Sequence, residues 1–401
     1  MSPFRAPRRI LQVVPSYFPA VRYGGPIRSV HGLASALVRR GHEVHVFTTS
    51  LDGPQDLDVP HDRPVTLDGV QVHYFPVPAL RKLAWSPAMG RALRREMAGF
   101  DVAHLHAVFT WPLQAAARAA RRARVPYLLA PRGMLVRNVI DGKSRWAKTA
   151  WISLFERRTL REAAGLHATA QLEVDDVRNL GLPFSQAFCV QNGVEWPREF
   201  APLESGAFAD LPRPYALFLS RLSWKKGLDR LIRAWQHVPD LPLMIGGNDD
   251  EGLVGKLTEL ARQEGVAQRI RFLGAVSDRD KWALYSQARM LVLPSYNENF
   301  GNVVAEAMAM RCPVVVTRTL GITPLVENSG AGLVCGDEPK DIAAAVNRLA
   351  FDAALRESCG RRGRAAVEAT LSWDAVGAQM ERVYETVIAQ NTGEPLALEA
   401  T

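Results

Sequence analysis

The sequence predicts an α/β chain of two Rossmann-like domains, each a parallel sheet flanked by helices. Three observations predict it. A chain of 401 residues is long for one hydrophobic core. Its hydrophobic content of 47% is ample for globular folding. Both halves also repeat one order, a short apolar run, a loop marked by Gly or Pro, and then a stretch with helical spacing. No apolar run approaches the roughly 18 residues that a membrane-spanning helix needs.

In the first half, residues 10–14 read as the opening strand. The segment before them is basic, but the apolar run is too short for a signal-peptide core. A loop with Gly24 and Gly25 precedes a helix at 26–40 and a strand at 44–48, which makes a βαβ unit. Paired glycines let backbone approach a ligand closely, and a plain tight turn is the alternative. The pattern is not GxGxxG, so dinucleotide binding is not indicated. Residues 101–106 read as another strand, whose alternation puts His104 and His106 on one face with His106 nearer the carboxyl end. Arg132 follows a strand at 127–130 and faces the same sheet edge, where it suits a phosphate or sugar. Asn192-Gly193 marks a turn before the second domain, and Asn192 either contacts a diphosphate or shapes that turn.

In the second half, a strand at 214–220 leads into a loop holding Arg221 and Lys226, then a helix at 228–235. In open parallel sheets ligands bind at the carboxyl ends of strands. Arg offers a planar fork and Lys a point charge, both suited to phosphate oxygens, whereas a solvated loop is the plain alternative. Next, a buried strand at 291–294 runs into Glu298, and Gly301-Asn302 opens a helix that carries Glu306. The start of that helix is a candidate anion site with an acid on either side. A diphosphate suits the helix terminus, and the two glutamates suit hydroxyls of the attached sugars. Glu306 is flanked by Val303, Val304, Ala305, Ala307 and Met308, so a buried carboxylate is expected there. It needs a partner, either ligand hydroxyls or a nearby base. The chemistry suggested is recognition of a nucleotide sugar.

The segments SRLSWKKGLDRLI and PSYNENFGNVVAEAMAMRCPVVVT resemble the retaining glycosyltransferases of family 4, which have the GT-B fold. The resemblance covers nearly the whole chain, including YGGPIRSVHGLASALVRRGHEVHVFTT, DVAHLHAVF, APRGML and QNGV. The APRGML segment resembles the members that build bacterial exopolysaccharide and O-antigen. The resemblance implies two facing Rossmann-like domains with the active site in an interdomain cleft, 1–205 binding acceptor and 206–372 binding donor. A final helix, in 373–401, would return to brace the first domain. It implies catalytic roles for Glu298, Arg221, Lys226 and His106. Glu306, Phe300, Gly301, Asn302, Val303, Gly247 and Gly25 form the implied donor set, and Gly24, Arg132 and Asn192 the acceptor set. Glu298 would hold hydroxyls of the transferred sugar and Glu306 those of the ribose. His106 would contact the transferred sugar, whereas His104 is structural. No residue stands out as a covalent nucleophile, and transfer with retained configuration is implied. Two positions depart from the pattern: Glu195, where Asp is commoner, and Arg311, where Gly is commoner.

Charge is divided unevenly. Residues 1–200 carry 27 Lys+Arg against 16 Asp+Glu, a net of +11, and residues 201–401 carry 22 against 25, a net of −3. Residues 143–161 join Lys143, Arg145, Lys148, Arg157, Arg158 and Arg161 to Trp146, Trp151, Leu154 and Phe155. That suits an anionic membrane surface, and an ordinary helix with its apolar stripe in the core is the alternative. No nucleic-acid motif accompanies the charge. Asp56-Leu-Asp58 lies in a polar loop, and Asp249-Asp250-Glu251 reads as the acidic start of a helix, so no metal site is expected. Four cysteines without paired spacing fit a reducing compartment. The expectation is a cytoplasmic enzyme at the inner face of the membrane. It would use a UDP- or GDP-linked sugar as substrate, no cofactor, and a glycan or polyprenyl-diphosphate-linked oligosaccharide acceptor. The rival readings are a GT-B-type sugar-nucleotide epimerase, a glycosidase using the two glutamates, and a non-catalytic nucleotide-sugar or polyanion binder.

Overall fold

The computed structural model describes residues 6–20, 25–141, 144–197, 199 and 208–393. The chain forms two compact units, Met1–Gly193 with Trp373–Thr401, and Val194–Ser372. The junction therefore falls before residue 205. Backbone pairing explains it, because the Val194 N–H donates to the Leu371 carbonyl (2.8 Å) and Val194 bridges to Ser372.

The first unit contains strands β1 (Arg9–Val13), β2 (Glu43–Thr49), β3 (Leu51–Asp52), β4 (Gln55–Asp56), β5 (Val65–Leu67), β6 (Val70–Phe75), β7 (Val102–His106), β8 (Tyr127–Ala130), β9 (Gly165–Ala168) and β10 (Ala187–Cys189). Eight of them form one sheet in the order β10-β9-β8-β7-β1-β2-β6-β5, parallel except for β5 with β6. Its central strands are buried, as helices on both faces require. Alternation in β1 sends Leu11 and Val13 to one core and Ile10 to the other. Gln12, fully buried, interrupts that apolar run.

The helix Trp373–Thr392 belongs to this unit. It packs along the helix Gly25–Arg39, with Val376, Met380, Val383, Tyr384 and Val387 in the core. The Trp373 ring lies where a Cβ on Gly32 or Gly193 would stand, 2.2 and 2.4 Å away, so both positions exclude a side chain. Glu381 accepts from Arg40 Nε (2.7 Å) and meets His42 Nε2 (3.2 Å).

The second unit contains β11 (Ala216–Leu219), β12 (Leu243–Gly246), β13 (Ile270–Gly274), β14 (Met290–Leu293), β15 (Val314–Thr317) and β16 (Gly332–Cys335). All pair in parallel, in the order β13-β12-β11-β14-β15-β16. Numbered within the unit this is 3-2-1-4-5-6, the order of the doubly wound nucleotide-binding fold. Strand order reverses between β11 and β14, and the loops leaving those strands diverge to open a crevice. In the first unit the equivalent point lies between β1 and β7.

Candidate active site

The second unit's switch point brings together two groups that are 72 residues apart. Lys226 ends a helical turn after β11, and Glu298 lies in the loop after β14. The Lys226 ammonium and the Glu298 carboxylate form a direct, partly buried ion pair. The Glu298 backbone is clamped from both sides. Its N–H donates to Thr319 O (3.1 Å), and its carbonyl accepts from Gly321 N (3.0 Å). Thr317 and Thr319 hydroxyls both donate to Ser295 O, which fixes the loop below. Arg230, itself buried, donates to Pro294 O (2.7 Å) and lies under the Tyr296 ring. Arg221 sits higher and exposed, 4.0 Å from Asp250. Burial holds the Lys225 ammonium below the usual lysine range, with Lys226 and Arg221 adding to the effect and Glu298 opposing it. The loop is thus a cluster of cations.

The helix Asn302–Ala309 starts at Gly301, whose φ of 103° is left-handed. The Phe300 side chain is in the core, which leaves its backbone at the loop, and Asn302 and Val303 are half-buried in the first turn. Glu306, one and a half turns in, is half-buried rather than enclosed. Its carboxylate takes Lys281 Nζ (2.8 Å) and the Tyr285 hydroxyl (3.0 Å). So the partner required of a sheltered carboxylate is basic, and it comes from the helix Asp278–Gln287. A carboxylate has about four acceptor sites, so two protein donors leave capacity for a diol.

Beside these groups a cavity of about 210 Å³ opens at the ends of β12 and β13, lined by Leu222, Ile245, Gly247, Asn248, Phe272 and Ala275. Gly247 has φ 142°, and a Cβ there would stand 1.8 Å from Ser220 O, so only glycine fits. Asp249 accepts from Leu253 N (2.6 Å) and Val254 N (3.0 Å), which makes it the acidic start of the helix Val254–Gln263. Asp56 pairs with Arg81 (2.9 Å).

In the first unit, His106 and Arg132 meet. Arg132 donates to His106 Nδ1 through Nε (3.3 Å) and Nη2 (3.0 Å), and to Asn192 Oδ1 through Nη1 (3.0 Å). Burial lowers Arg132 to about 10, with Glu173 opposing, and the group stays charged at neutral pH. The His106 ring is buried, and its Nε2 bonds Gln12 Oε1. Burial, then Arg132 and His167, hold it well below the usual histidine range, so the ring is neutral. Both ring nitrogens are therefore engaged within the protein. His104 is wholly buried beside it, its ring centroid 4.1 Å away. Gly25 opens its helix, and Gly24 lies outside the described residues.

Comparison with known proteins decides what this arrangement belongs to. The family described as glycosyl transferases group 1 matches residues 206–366, and the glycosyl transferase 4-like domain matches 24–193. A D-inositol 3-phosphate glycosyltransferase of Xylanimonas cellulosilytica is 30% identical over 90% of this chain and 91% of its own. The chain belongs to the family 4 GT-B glycosyltransferases. An uncharacterized glycosyltransferase of Methanocaldococcus jannaschii is 27% identical over 94% of this chain and 98% of its own. Among solved structures, a sucrose-phosphate synthase of Thermosynechococcus elongatus has 21% identity and a TM-score of 0.75, covering 96% of this chain and 100% of that one. Anabaena HepE, in complex with UDP and glucose, has 18% identity and a TM-score of 0.71 over 94% and 100%.

Within this glycosyltransferase the sequence motifs account for Lys226, Glu298, Glu306, His106, Arg132 and Asn192, but not for what holds them. Lys281 and Tyr285 stand one turn apart on their own helix, and nothing in that spacing points to Glu306. Tyr384 and His167 are equally silent. Gln12 does carry a signal, because a polar residue inside an apolar strand needs a partner.

The segment 145–161 carries apolar groups on its surface as well as in the core. It is helical throughout, with a π-turn at Ile152–Glu156. Trp146 is 83% exposed and Leu154 70%, so these apolar groups are not in the core. Arg145, Arg157, Arg158 and Arg161 are exposed beside them. Glu156, Thr159 and Leu160 point inward, and Glu156 accepts from Trp151 Nε1 (2.8 Å) and Phe109 N (2.9 Å). Among the described residues no helix is long and apolar enough to cross a membrane.

Proposed function

We propose that the chain is a retaining, metal-independent hexosyltransferase. It moves a sugar from a UDP- or GDP-linked donor to a glycan carried on a polyprenyl diphosphate, in synthesis of bacterial surface polysaccharide. The observation that carries this reading is the Lys226–Glu298 pair at the switch point, beside the helix that bears Glu306.

The pair is an exchangeable one. An incoming diphosphate offers Lys226 a stronger anionic partner, and a sugar hydroxyl offers Glu298 a donor. Cleavage of the anomeric C–O bond to phosphate leaves a diphosphate anion. Lys226, Arg221 and the positive end of the helix Asn302–Ala309 stabilise that charge without a metal. Glu298 orients the transferred sugar, and Glu306 holds the ribose diol within its Lys281–Tyr285 cradle. The cavity at Gly247 suits the base. On the acceptor side, Arg132 supplies a fixed cation for a phosphate or sugar, with Asn192 beside it. The acceptor hydroxyl loses its proton to the departing phosphate on the same face of the sugar, which retains configuration. His106 then acts from behind Arg132. Relatives named as D-inositol 3-phosphate glycosyltransferase and as glycogen synthase make an inositol phosphate and a glucan the competing acceptor classes.

A thermal-shift series with UDP, GDP and ADP and their common sugar conjugates tests the donor. A ligand that binds only the folded state raises the melting temperature. Stabilisation by UDP or GDP and its conjugate is expected, and no shift at millimolar concentration with any of them would remove the donor site. Release of an altered sugar without acceptor would favour the epimerase reading.

The exposed Trp146 and Leu154 among arginines support a location on an anionic membrane surface, where a lipid-linked acceptor resides. Flotation with phosphatidylglycerol vesicles is the check. The protein should float with them and not with phosphatidylcholine alone, and joint Trp146→Ala and Leu154→Ala substitution should abolish flotation.

A further inference from the structure

Behind Arg132 runs a buried chain of hydrogen bonds that crosses the first unit's sheet. His106 Nε2 bonds Gln12 Oε1. Gln12 Nε2 bonds the Tyr384 hydroxyl (3.1 Å), which bonds His104 Nδ1 (2.8 Å). His104 Nε2 bonds His167 Nδ1 (3.0 Å), and His167 Nε2 bonds Val190 O (3.0 Å). Gln12, His104, His106, His167 and Tyr384 are all at most 3% exposed.

The two ends fix every proton between them. Arg132 has donors only, so His106 Nδ1 is bare and Nε2 carries the hydrogen. Gln12 must then present its oxygen to His106 and its amide hydrogens to Tyr384. From the other end, the Val190 carbonyl accepts only, so His167 donates from Nε2 and is bare at Nδ1. His104 must donate to it from Nε2, which leaves its own Nδ1 to accept. The two deductions meet at the Tyr384 hydroxyl, which accepts from Gln12 and donates to His104. It is the only atom of this chain of bonds that does both. Charging His106 or His167 would set donor against donor, and charging His104 would take away the acceptor of the Tyr384 hydroxyl. Burial accordingly lowers all three histidines, His167 to about 3.

We propose that Tyr384, brought in by the C-terminal helix, is a positioning residue that sets the polarity of this chain and thereby holds Arg132. Without its hydroxyl, Gln12 loses an acceptor and His104 loses a donor, both in full burial. Gln12 is then free to turn its amide, which offers N–H to His106 Nε2. The His106 hydrogen moves to Nδ1 and faces the Arg132 guanidinium, and Arg132 is pushed off.

This rests on the reading that Arg132 serves the acceptor side, and the two fail separately. Arg132→Ala tests that reading, since unchanged transfer would sink it whatever Tyr384 does. The positioning role is read without any ligand, by nitrogen NMR of ¹⁵N-histidine and ¹⁵N-arginine protein at neutral pH. In the wild type, His104, His106 and His167 should all be neutral with hydrogen on Nε2, and the Arg132 Nε–H should exchange slowly. In Tyr384→Phe, the His106 hydrogen should shift toward Nδ1 and Arg132 Nε–H exchange should speed by about tenfold or more. UDP binding, made by the other unit, should be unchanged. A wild-type ring with hydrogen on Nδ1, or a charged ring, would overturn the assignment even where the variant fails to fold. A folded Tyr384→Phe with His106 and Arg132 as in the wild type would overturn the positioning role.

Discussion

The two units place their chemistry at equivalent points of similar sheets but hold it in opposite ways. In the second, Lys226–Glu298 and Lys281–Glu306 are ion pairs at the rim, part-exposed, each made of groups that the proposed donor would take over. In the first, Arg132 and His106 end a closed chain whose other members are buried and already satisfied. One site stores its function in exchangeable charge, the other in the fold. Damage to the first kind should therefore appear in binding and turnover, and damage to the second in stability as well.

The sharpest break of that comparison is Glu298→Ala. It removes the proposed partner of the transferred sugar but leaves Lys226, Glu306 and the cavity at Gly247 in place. Transfer should fall about a thousandfold, the scale of losing a preorganised transition-state contact. Nucleotide affinity should stay near the wild type in titration calorimetry. Equal turnover of wild type and variant would remove Glu298 from the site.

Acid should separate the units next. Of the nine histidines, only His237 lies in the second unit, and it is exposed. His104, His106 and His167 are buried, with proton affinity below the unfolded value near 6.5. The unfolded chain then binds more protons than the folded one below that pH. Stability is fully present above pH 6.5 and is lost as pH falls toward the folded values. From pH 6.5 to 5, His167 alone costs about 2 kcal/mol, and His104 and His106 add in the same direction. Hydrogen exchange along the chain should show the first unit opening at pH 5 while the second stays protected. Uniform loss across both would contradict the contrast.

Glu306→Ala comes third. Loss of the proposed ribose partner should weaken UDP or GDP binding about tenfold, the scale of one hydrogen bond to a charged group. It also strands Lys281, so Glu306→Gln, which keeps an acceptor for Lys281 and Tyr285, should recover part of the affinity.

What was legible in the sequence follows the same division. Rim chemistry sits on loops at strand ends, where residue type and position carry the message, so Lys226, Glu298 and Glu306 stand out within local motifs. The GT-B fold was legible too, from apolar runs alternating with helical stretches and from the segments that resemble the family. The buried chain was not. Its members lie at positions 12, 104, 106, 167 and 384, on different elements, and no spacing rule connects them. His104 was legible only as a core residue. Its partner Tyr384 reaches it from 280 positions away, and the need for that contact arises once both are buried. The exposed basic and aromatic helix was half legible: composition showed the mixture, and only exposure tells that Trp146 and Leu154 face outward.

The smallest effect concerns a departure that the sequence did show. Arg311 occupies a position where glycine is commoner in the family, and its φ is 59°, in the left-handed region. A residue with a Cβ is strained there by about 1 kcal/mol. The turn admits no easy relief, since a Cβ on Gly360 would already lie 2.4 Å from Arg311 O. Its exposed side chain gives no sign of a compensating role at the candidate site. Arg311→Gly should therefore stabilise the second unit by about 0.5–1 kcal/mol in chemical denaturation, offset in part by greater freedom of the unfolded chain. Transfer and nucleotide affinity should not change. A loss of stability would mean that the arginine side chain holds the turn through contacts stronger than its backbone strain, and the contrast between a rigid first unit and an adaptable second would need a new boundary.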